Sequence, residues 1–432
     1  MTQLKTKITH ATDKQCMWFI TLSTMLLTLL WFGIIGIKLL HTLGDTGTYL
    51  FAGRSLFSGT LDELRTPVYP ALCQIFTLGK YFNGLYLLSA FQILVFFASV
   101  PYLYKAVALL TQRKTVKCLC TCIYAWNLPI ISYTAYIVTE SLTISSVVFL
   151  AYMLICIILG KASRRICIAM PLLMLFMIML RPFCICFVPI GLLAYAYAYH
   201  NKTLKHTAAA LLSTLIATII VLGYCAEHKR LFGKFALSNV SSVNRAQVMI
   251  KNGMLSGPLL SEYFPSYNRI IELQSPDSIR HILCWRVEHA KRCMEKADSV
   301  YAHNLLRYTT SRISAFDMSL GEHFPSCPHR VSGDYLHHVQ CISLAQVYLV
   351  LAIMILVQAI LLFKRRSGQA VVGTLMSIAC VATIATTLWA SADNNFARLM
   401  MPMFPCLCLL FACIVEQLNL RLKPVSANHN HI

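Results

Sequence analysis

The chain has 432 residues, 57% of them hydrophobic and only 12% charged, with a mean hydropathy of +0.63. A soluble protein carries about 25% charged residues, so a soluble globular fold is excluded. The formal net charge of +20 would suit nucleic acid, but no basic domain stands clear of the apolar runs, so no nucleic-acid partner is expected.

The expected class is an all-α polytopic membrane protein, because the apolar runs are each near the length that a hydrocarbon core of about 30 Å requires. In chain order the expected spans are 17–40, 84–106, 116–134, 139–160, 166–181, 183–199, 207–225, 342–363, 370–390 and 399–418, or about ten transmembrane helices. The first run is too long for a signal peptide and no small-residue cleavage site follows it, so it reads as a retained anchor. The loop 41–83 comes next. The fifth and sixth spans meet at Arg181-Pro182, where proline cannot continue a helix and a tight turn is expected.

Segment 226–341 carries 14 Lys/Arg against 10 Asp/Glu, five prolines (Pro258, Pro265, Pro276, Pro325 and Pro328) and helix-like stretches such as Ile279–Tyr308. It reads as a small, mostly helical extracytoplasmic domain. It divides the chain into an N-terminal transmembrane module, 1–225, and C-terminal transmembrane helices with a cytoplasmic tail, 342–432.

Basic residues gather in short loops: Lys105/Arg113/Lys114/Lys117, Lys161/Arg164/Arg165, Lys202/Lys205 and Lys364/Arg365/Arg366. That is the positive-inside pattern of cytoplasmic loops. With the N-terminus inside, as Lys5, Lys7 and Lys14 suggest, all of these fall in the cytoplasm, and Arg421/Lys423 joins them. The loop 41–83, the Glu140 turn, the Arg181 turn, the Asp393–Arg398 loop and segment 226–341 then share the opposite face. The 18 cysteines lie mostly in apolar runs, among them Cys118, Cys120, Cys122, Cys406 and Cys408, and read as small hydrophobes. Cys284, Cys293, Cys327 and Cys341 lie in the polar segment and are free to pair if it faces an oxidising compartment. His429 and His431 read as part of a frayed tail rather than a metal site.

Outside 226–341 the chain has just seven acids: Asp13, Asp45, Asp62, Glu63, Glu140, Asp393 and Glu416. A charge near a bilayer costs roughly 2.5–3.5 kcal/mol, so acids retained there mark function. Five of the seven share the outer face with Arg65, Arg181 and Arg398, which points to one polar site. Asp45-x-x-x-Tyr49 offers a general base or ligand-orienting carboxylate, or a helix N-cap between Gly44 and Thr46. In Asp62-Glu63-Leu64-Arg65-Thr66-Pro67-Val68-Tyr69-Pro70, Arg65 suits bidentate phosphate capture; a solvated turn with a snorkelling arginine is the alternative. Glu140 starts a helix, where a capping role stays open. Arg181 is either a lipid-phosphate contact or an interfacial anchor. Asp393-Asn394-Asn395-Phe396-Ala397-Arg398 precedes Pro402 and Pro405, a setting in which polar residues line cavities.

Together these motifs resemble the GT-C superfamily of integral-membrane glycosyltransferases, most closely the branch with protein O-mannosyltransferases and aminoarabinose transferases. The resemblance rests on Asp45-x-x-x-Tyr49, Arg65-Thr-Pro-Val-Tyr-Pro70, Thr139-Glu140-Ser141, Leu180-Arg181-Pro182 and Asn395-Phe-Ala-Arg398, and covers residues 1–225 and 340–420. It implies a polyprenyl-phosphate-linked sugar donor at the outer leaflet, a lipid, glycan or protein acceptor, and a bacterial inner (plasma) membrane enzyme whose site faces the periplasm or exterior. Asp45 would deprotonate the acceptor hydroxyl for an inverting displacement, and Glu140 would orient the acceptor or a catalytic cation. Arg65, Arg181 or Arg398 would hold the leaving phosphate, with Tyr49, Asp62, Glu63, Tyr69 and Asn395 as further substrate contacts. No cofactor is required; some branches use a divalent metal, and no ligand spacing here demands one. The chain is shorter than better-known members and carries its outer segment between the seventh and eighth spans, so acceptor class does not transfer. Two rival readings are a secondary transporter or flippase, with charges near mid-membrane and inverted repeats, and an O-antigen polymerase or ligase, with its key basic residues in the large outer loop.

Overall fold

A computed structural model describes residues 12–34, 40, 42, 44–79, 81–252, 254, 298–322, 343–364, 367–391 and 396–422. Every regular element among them is helical. The N-terminal half contains α1 (Asp13–Ile34), α2 (Gly44–Phe57), α3 (Val68–Thr77), α4 (Gly84–Leu110), α5 (Lys114–Ala125), α6 (Leu128–Tyr133), α7 (Glu140–Ile158) and α8 (Arg164–Leu180). A 3₁₀ turn, Pro182–Cys186, leads into α9 (Phe187–His200), followed by α10 (Thr207–Phe232) and α11 (Val240–Lys251). The rest comprises α12 (Leu305–Leu320), α13 (Leu344–Lys364), α14 (Gly368–Ala390), α15 (Phe396–Met400) and α16 (Met403–Leu422).

Among the described residues, seven stretches are long and apolar enough to cross a membrane: α1, α4, α7, Pro182–His200, α10, Leu344–Phe363 and α14. Each coincides with an expected span. The other three expected spans fall on shorter or broken helices. The span expected at 116–134 is two helices, because the Asn127 side chain accepts a hydrogen bond from the Ile130 N–H at 3.2 Å and Pro129 follows, starting a new helix where the first ends. The one at 166–181 is α8, of 17 residues with Pro171 inside. The one at 399–418 begins later, after a turn at Met401-Pro402.

Burial follows a lipid solvent rather than water. On α10, Ala210, Ser213 and Ala217 are buried while Leu211, Leu212, Leu215 and Ile219 are exposed. Small residues let α10 approach α8 closely and leave the leucines to lipid. The central helix is α7, buried along almost its whole length and packed against α4, α8, α9 and α16.

Irregular backbone next to α7 is held by side chains. Gln92, in the middle of α4 and fully buried, donates to Thr134 O at 3.1 Å and Tyr136 O at 2.8 Å, and accepts from Tyr69 OH at 2.8 Å. Thr46 donates to Ile137 O at 3.0 Å. Non-helical backbone inside a membrane protein is stable where its polar groups are satisfied in this way. These bonds fix where α7 begins, at Glu140.

Where it is described, the segment expected to form an outer domain contains the end of α10, irregular backbone at 233–239, α11, a helical stretch at 298–303 and α12. It docks on the end of α14. The orphan carbonyls of Leu388, Trp389 and Ala390 accept hydrogen bonds from Arg312 (3.4 Å), Tyr308 (2.9 Å) and Asn244 (2.9 Å), as helix ends require. The four cysteines of this segment that were open to pairing lie outside the described residues, as do His429 and His431.

Candidate functional site

Five chain segments bring charge to one end of the bundle. Asp45 and Tyr49 sit on the first turns of α2, Arg65 on the loop before α3, Glu140 at the start of α7, Arg181 in the break after α8, and Arg398 on α15. All six line one cavity of about 680 Å³. The short α15 is set by Glu322, whose side chain accepts from the Ala397 N–H at 2.9 Å. Close approach of α2 and α3 requires a glycine: a Cβ on Gly53 would stand 2.6 Å from Pro70 O.

The charges form a chain. Arg65 Nη2 donates to Asp45 Oδ1 at 2.7 Å, and Arg398 Nη2 donates to Asp45 Oδ2 at 3.2 Å. Arg398 Nε and Arg181 Nη1 lie 3.0 and 3.3 Å from the same oxygen, Glu140 Oε1. Neither of those two nitrogens makes a hydrogen bond among the described residues. Both are charge contacts whose N–H donors point elsewhere. Arg65 also donates through Nε to Thr48 Oγ1 at 3.0 Å, and its guanidinium lies 4.5 Å above the Tyr49 ring, a geometry that favours a cation.

Burial works against the Arg65 charge, but the Tyr49 hydroxyl and the Asp45 carboxylate outweigh it and hold the guanidinium above its usual range. Burial likewise opposes the charge on Arg398, and Glu140 and Asp45 more than offset it. The Tyr49 hydroxyl is pushed up by its own burial. Among the described residues, the three cations and two carboxylates of the lining sum to a formal +1 in a largely buried setting, so the site suits an anion.

Asp62, Glu63 and Tyr69 do not line the cavity. The Asp62 carboxylate accepts from the Leu64 and Arg65 N–H groups at 2.9 and 2.7 Å, shaping the turn that presents Arg65. Glu63 accepts from the Asn239 amide at 2.6 Å and joins the loop to the start of α11. Tyr69 is fully buried, edge-on to Tyr49 at 4.8 Å, and supports the site from below. Asn395 lies outside the described residues.

Sequence reasoning missed Thr46, Thr48, Gln92 and Glu322. Gln92 carried a readable signal, a lone amide in the middle of an apolar span. The others carried none, since serines, threonines and loop acids are common at helix ends.

A resident divalent cation does not fit these side chains. Both carboxylates are already engaged by guanidinium groups, and among the described residues no three His, Cys, Asp or Glu side chains gather as ligands. No protein-family model and no curated protein matches the sequence.

Proposed function

We propose that this chain is a membrane glycosyltransferase that moves a sugar from a polyprenyl-phosphate donor to an acceptor hydroxyl on the extracytoplasmic face, with inversion. The observation that carries the reading is the pair of buried, unspent N–H donors on Arg181 and Arg398 beside a carboxylate-bearing cavity of net positive charge. Such donors are matched to phosphate oxygens.

In this reading the donor phosphate sits among Arg65, Arg181 and Arg398. The acceptor oxygen attacks the anomeric carbon, the bond from that carbon to the phosphate oxygen breaks, and the negative charge that develops on the leaving phosphate is stabilised by the arginines. The acceptor proton passes to Asp45. Both Asp45 oxygens are held by guanidinium groups, so the base becomes available when the phosphate draws one arginine away. Substrate binding and base release are then the same event. Glu140 stays in place as the counter-charge that keeps Arg181 and Arg398 aimed at the phosphate.

Mass spectrometry on the purified protein in lipid nanodiscs, incubated with polyprenyl-phosphate sugars and lipid, glycan and peptide hydroxyl acceptors, tests the proposal. A glycosylated acceptor together with free polyprenyl phosphate is the expected result. A protein that binds no polyprenyl-phosphate species would overturn it in favour of the transporter reading.

A further inference from the structure

Hydroxyl side chains in membrane helices satisfy themselves by bonding back to the carbonyl one turn earlier. On α14 Thr383, Thr386 and Ser391 do so, donating to Ala379 O, Ala382 O and Thr387 O at 2.8, 2.6 and 2.6 Å. Thr387, on the same helix and lining the cavity, makes no such bond among the described residues. Ser238 and Ser241, in the turn that opens α11, line the same cavity and are equally without a hydrogen-bond partner there. Asn244 uses its amide N–H on Ala390 O at 2.9 Å, and its side-chain oxygen makes no hydrogen bond among the described residues.

These groups have an aromatic neighbour. Trp389 lines the cavity, its ring held edge-on by Tyr308 at 5.3 Å and its carbonyl accepting the Tyr308 hydroxyl at 2.9 Å. Among the described residues, the five charged groups of the lining come from α2, the Arg65 loop, α7, the Arg181 break and α15, and those of α11 and the end of α14 contribute none. The cavity therefore has a charged part built for an anion and a neutral part rich in hydrogen-bonding groups with an indole. A ligand that fits both has an anionic end and an uncharged, polyhydroxylated body.

Building on the proposed function, we infer that Ser238, Ser241, Asn244, Thr387 and Trp389 form the surface that recognises the donor sugar, while the arginines recognise its phosphate. The hydroxyl and amide groups exchange hydrogen bonds with the sugar hydroxyls, and the indole packs on the sugar's apolar face. A few placed polar groups with an aromatic wall are the usual make-up of a selective small-molecule site.

The experiment compares affinities for decaprenyl phosphate and its mannosyl and glucosyl esters by native mass spectrometry in nanodiscs. Proteins tested are wild type, Ser238→Ala/Ser241→Ala, Thr387→Val, Trp389→Ala and Trp389→Phe, each first shown to melt as wild type does. Wild type should prefer one glycosylated lipid over the bare phosphate by about tenfold. The serine, threonine and Trp389→Ala variants should lose that margin while keeping their affinity for decaprenyl phosphate, and Trp389→Phe should retain most of it. Variants that keep the margin, or that weaken both ligands alike, would overturn the inference and leave the proposed function standing. A wild-type protein that binds neither lipid would overturn the proposed function, and this inference with it.

Discussion

Neutralising Glu140 tests whether the buried charges hold one another in place. Its side chain is 2% exposed, and Oε1 stands 3.0 Å from Arg398 Nε and 3.3 Å from Arg181 Nη1. At such separations an effective dielectric of about 20 gives about 5 kcal/mol of attraction per pair. Desolvation of the three ions consumes much of this, and stripping one partner from a buried pair costs about 3–5 kcal/mol. Both arginine side chains keep some water contact, at 16% and 17% exposure. We therefore expect the lower end, about 3 kcal/mol, for Glu140→Gln, which preserves side-chain volume. The assay is unfolding by SDS titration in mixed micelles for wild type, Glu140→Gln, Arg398→Met and the double variant. The double variant should lose less stability than the two single losses combined, with a coupling of about 1–3 kcal/mol. Additivity within about 0.5 kcal/mol, or a Glu140→Gln protein as stable as wild type, would refute the ion-pair reasoning and leave Glu140 a helix-capping acid.

Three further outcomes follow from the same structure. Burial pushes the Asp62 carboxyl up, against the two backbone N–H groups it accepts. Its folded state therefore binds a proton more tightly than the unfolded chain, so this contribution to stability is present below the unfolded value near 3.9 and is lost as pH rises through the folded one. Asp62→Asn keeps the accepting oxygen without the charge, so it should flatten that slope in melting curves taken from about pH 4 to pH 7, and an unchanged slope would contradict the assignment. Gln92→Leu leaves the carbonyls of Thr134 and Tyr136 without a donor, at about 1–3 kcal/mol for each stranded group. In thermal unfolding it should rank well below Gln358→Leu, which removes a buried amide that donates to one carbonyl, Ala370 O at 2.9 Å, if the segment before Glu140 depends on Gln92, and equal effects would contradict that. Gly53→Ala drives a Cβ toward Pro70 O and should cost about 1–3 kcal/mol by overpacking; a neutral result in the same assay would mean that α2 and α3 can separate.

The legible part of the molecule was its charge. In a chain this apolar each retained acid or arginine is costly, so Asp45, Arg65, Glu140, Arg181 and Arg398 stood out from the sequence, and the fold brings them together. Adjacency misled where it stood in for geometry. Asp62 and Glu63 neighbour Arg65 in sequence but face the loop backbone and Asn239. Helical class and seven of the expected spans were readable from apolar run length. The break at Asn127 was not, because the run stays apolar across it and the only marker is an Asn-Leu-Pro cap. The neutral part of the cavity was invisible. Ser238, Ser241 and Thr387 look like any serine or threonine until the fold shows that they have no backbone partner among the described residues.

The central claim is that Asp45 accepts the proton of the attacking hydroxyl, and it is tested most directly by comparing wild type with Asp45→Asn in nanodiscs supplied with polyprenyl-phosphate sugar and acceptor. The quantity followed by mass spectrometry is free polyprenyl phosphate released together with glycosylated product. The account predicts that Asp45→Asn still binds the donor and, with its charge between Arg65 and Arg398 removed, loses about 3 kcal/mol of stability as Glu140→Gln does, yet releases no polyprenyl phosphate. Release at the wild-type rate from Asp45→Asn would contradict it.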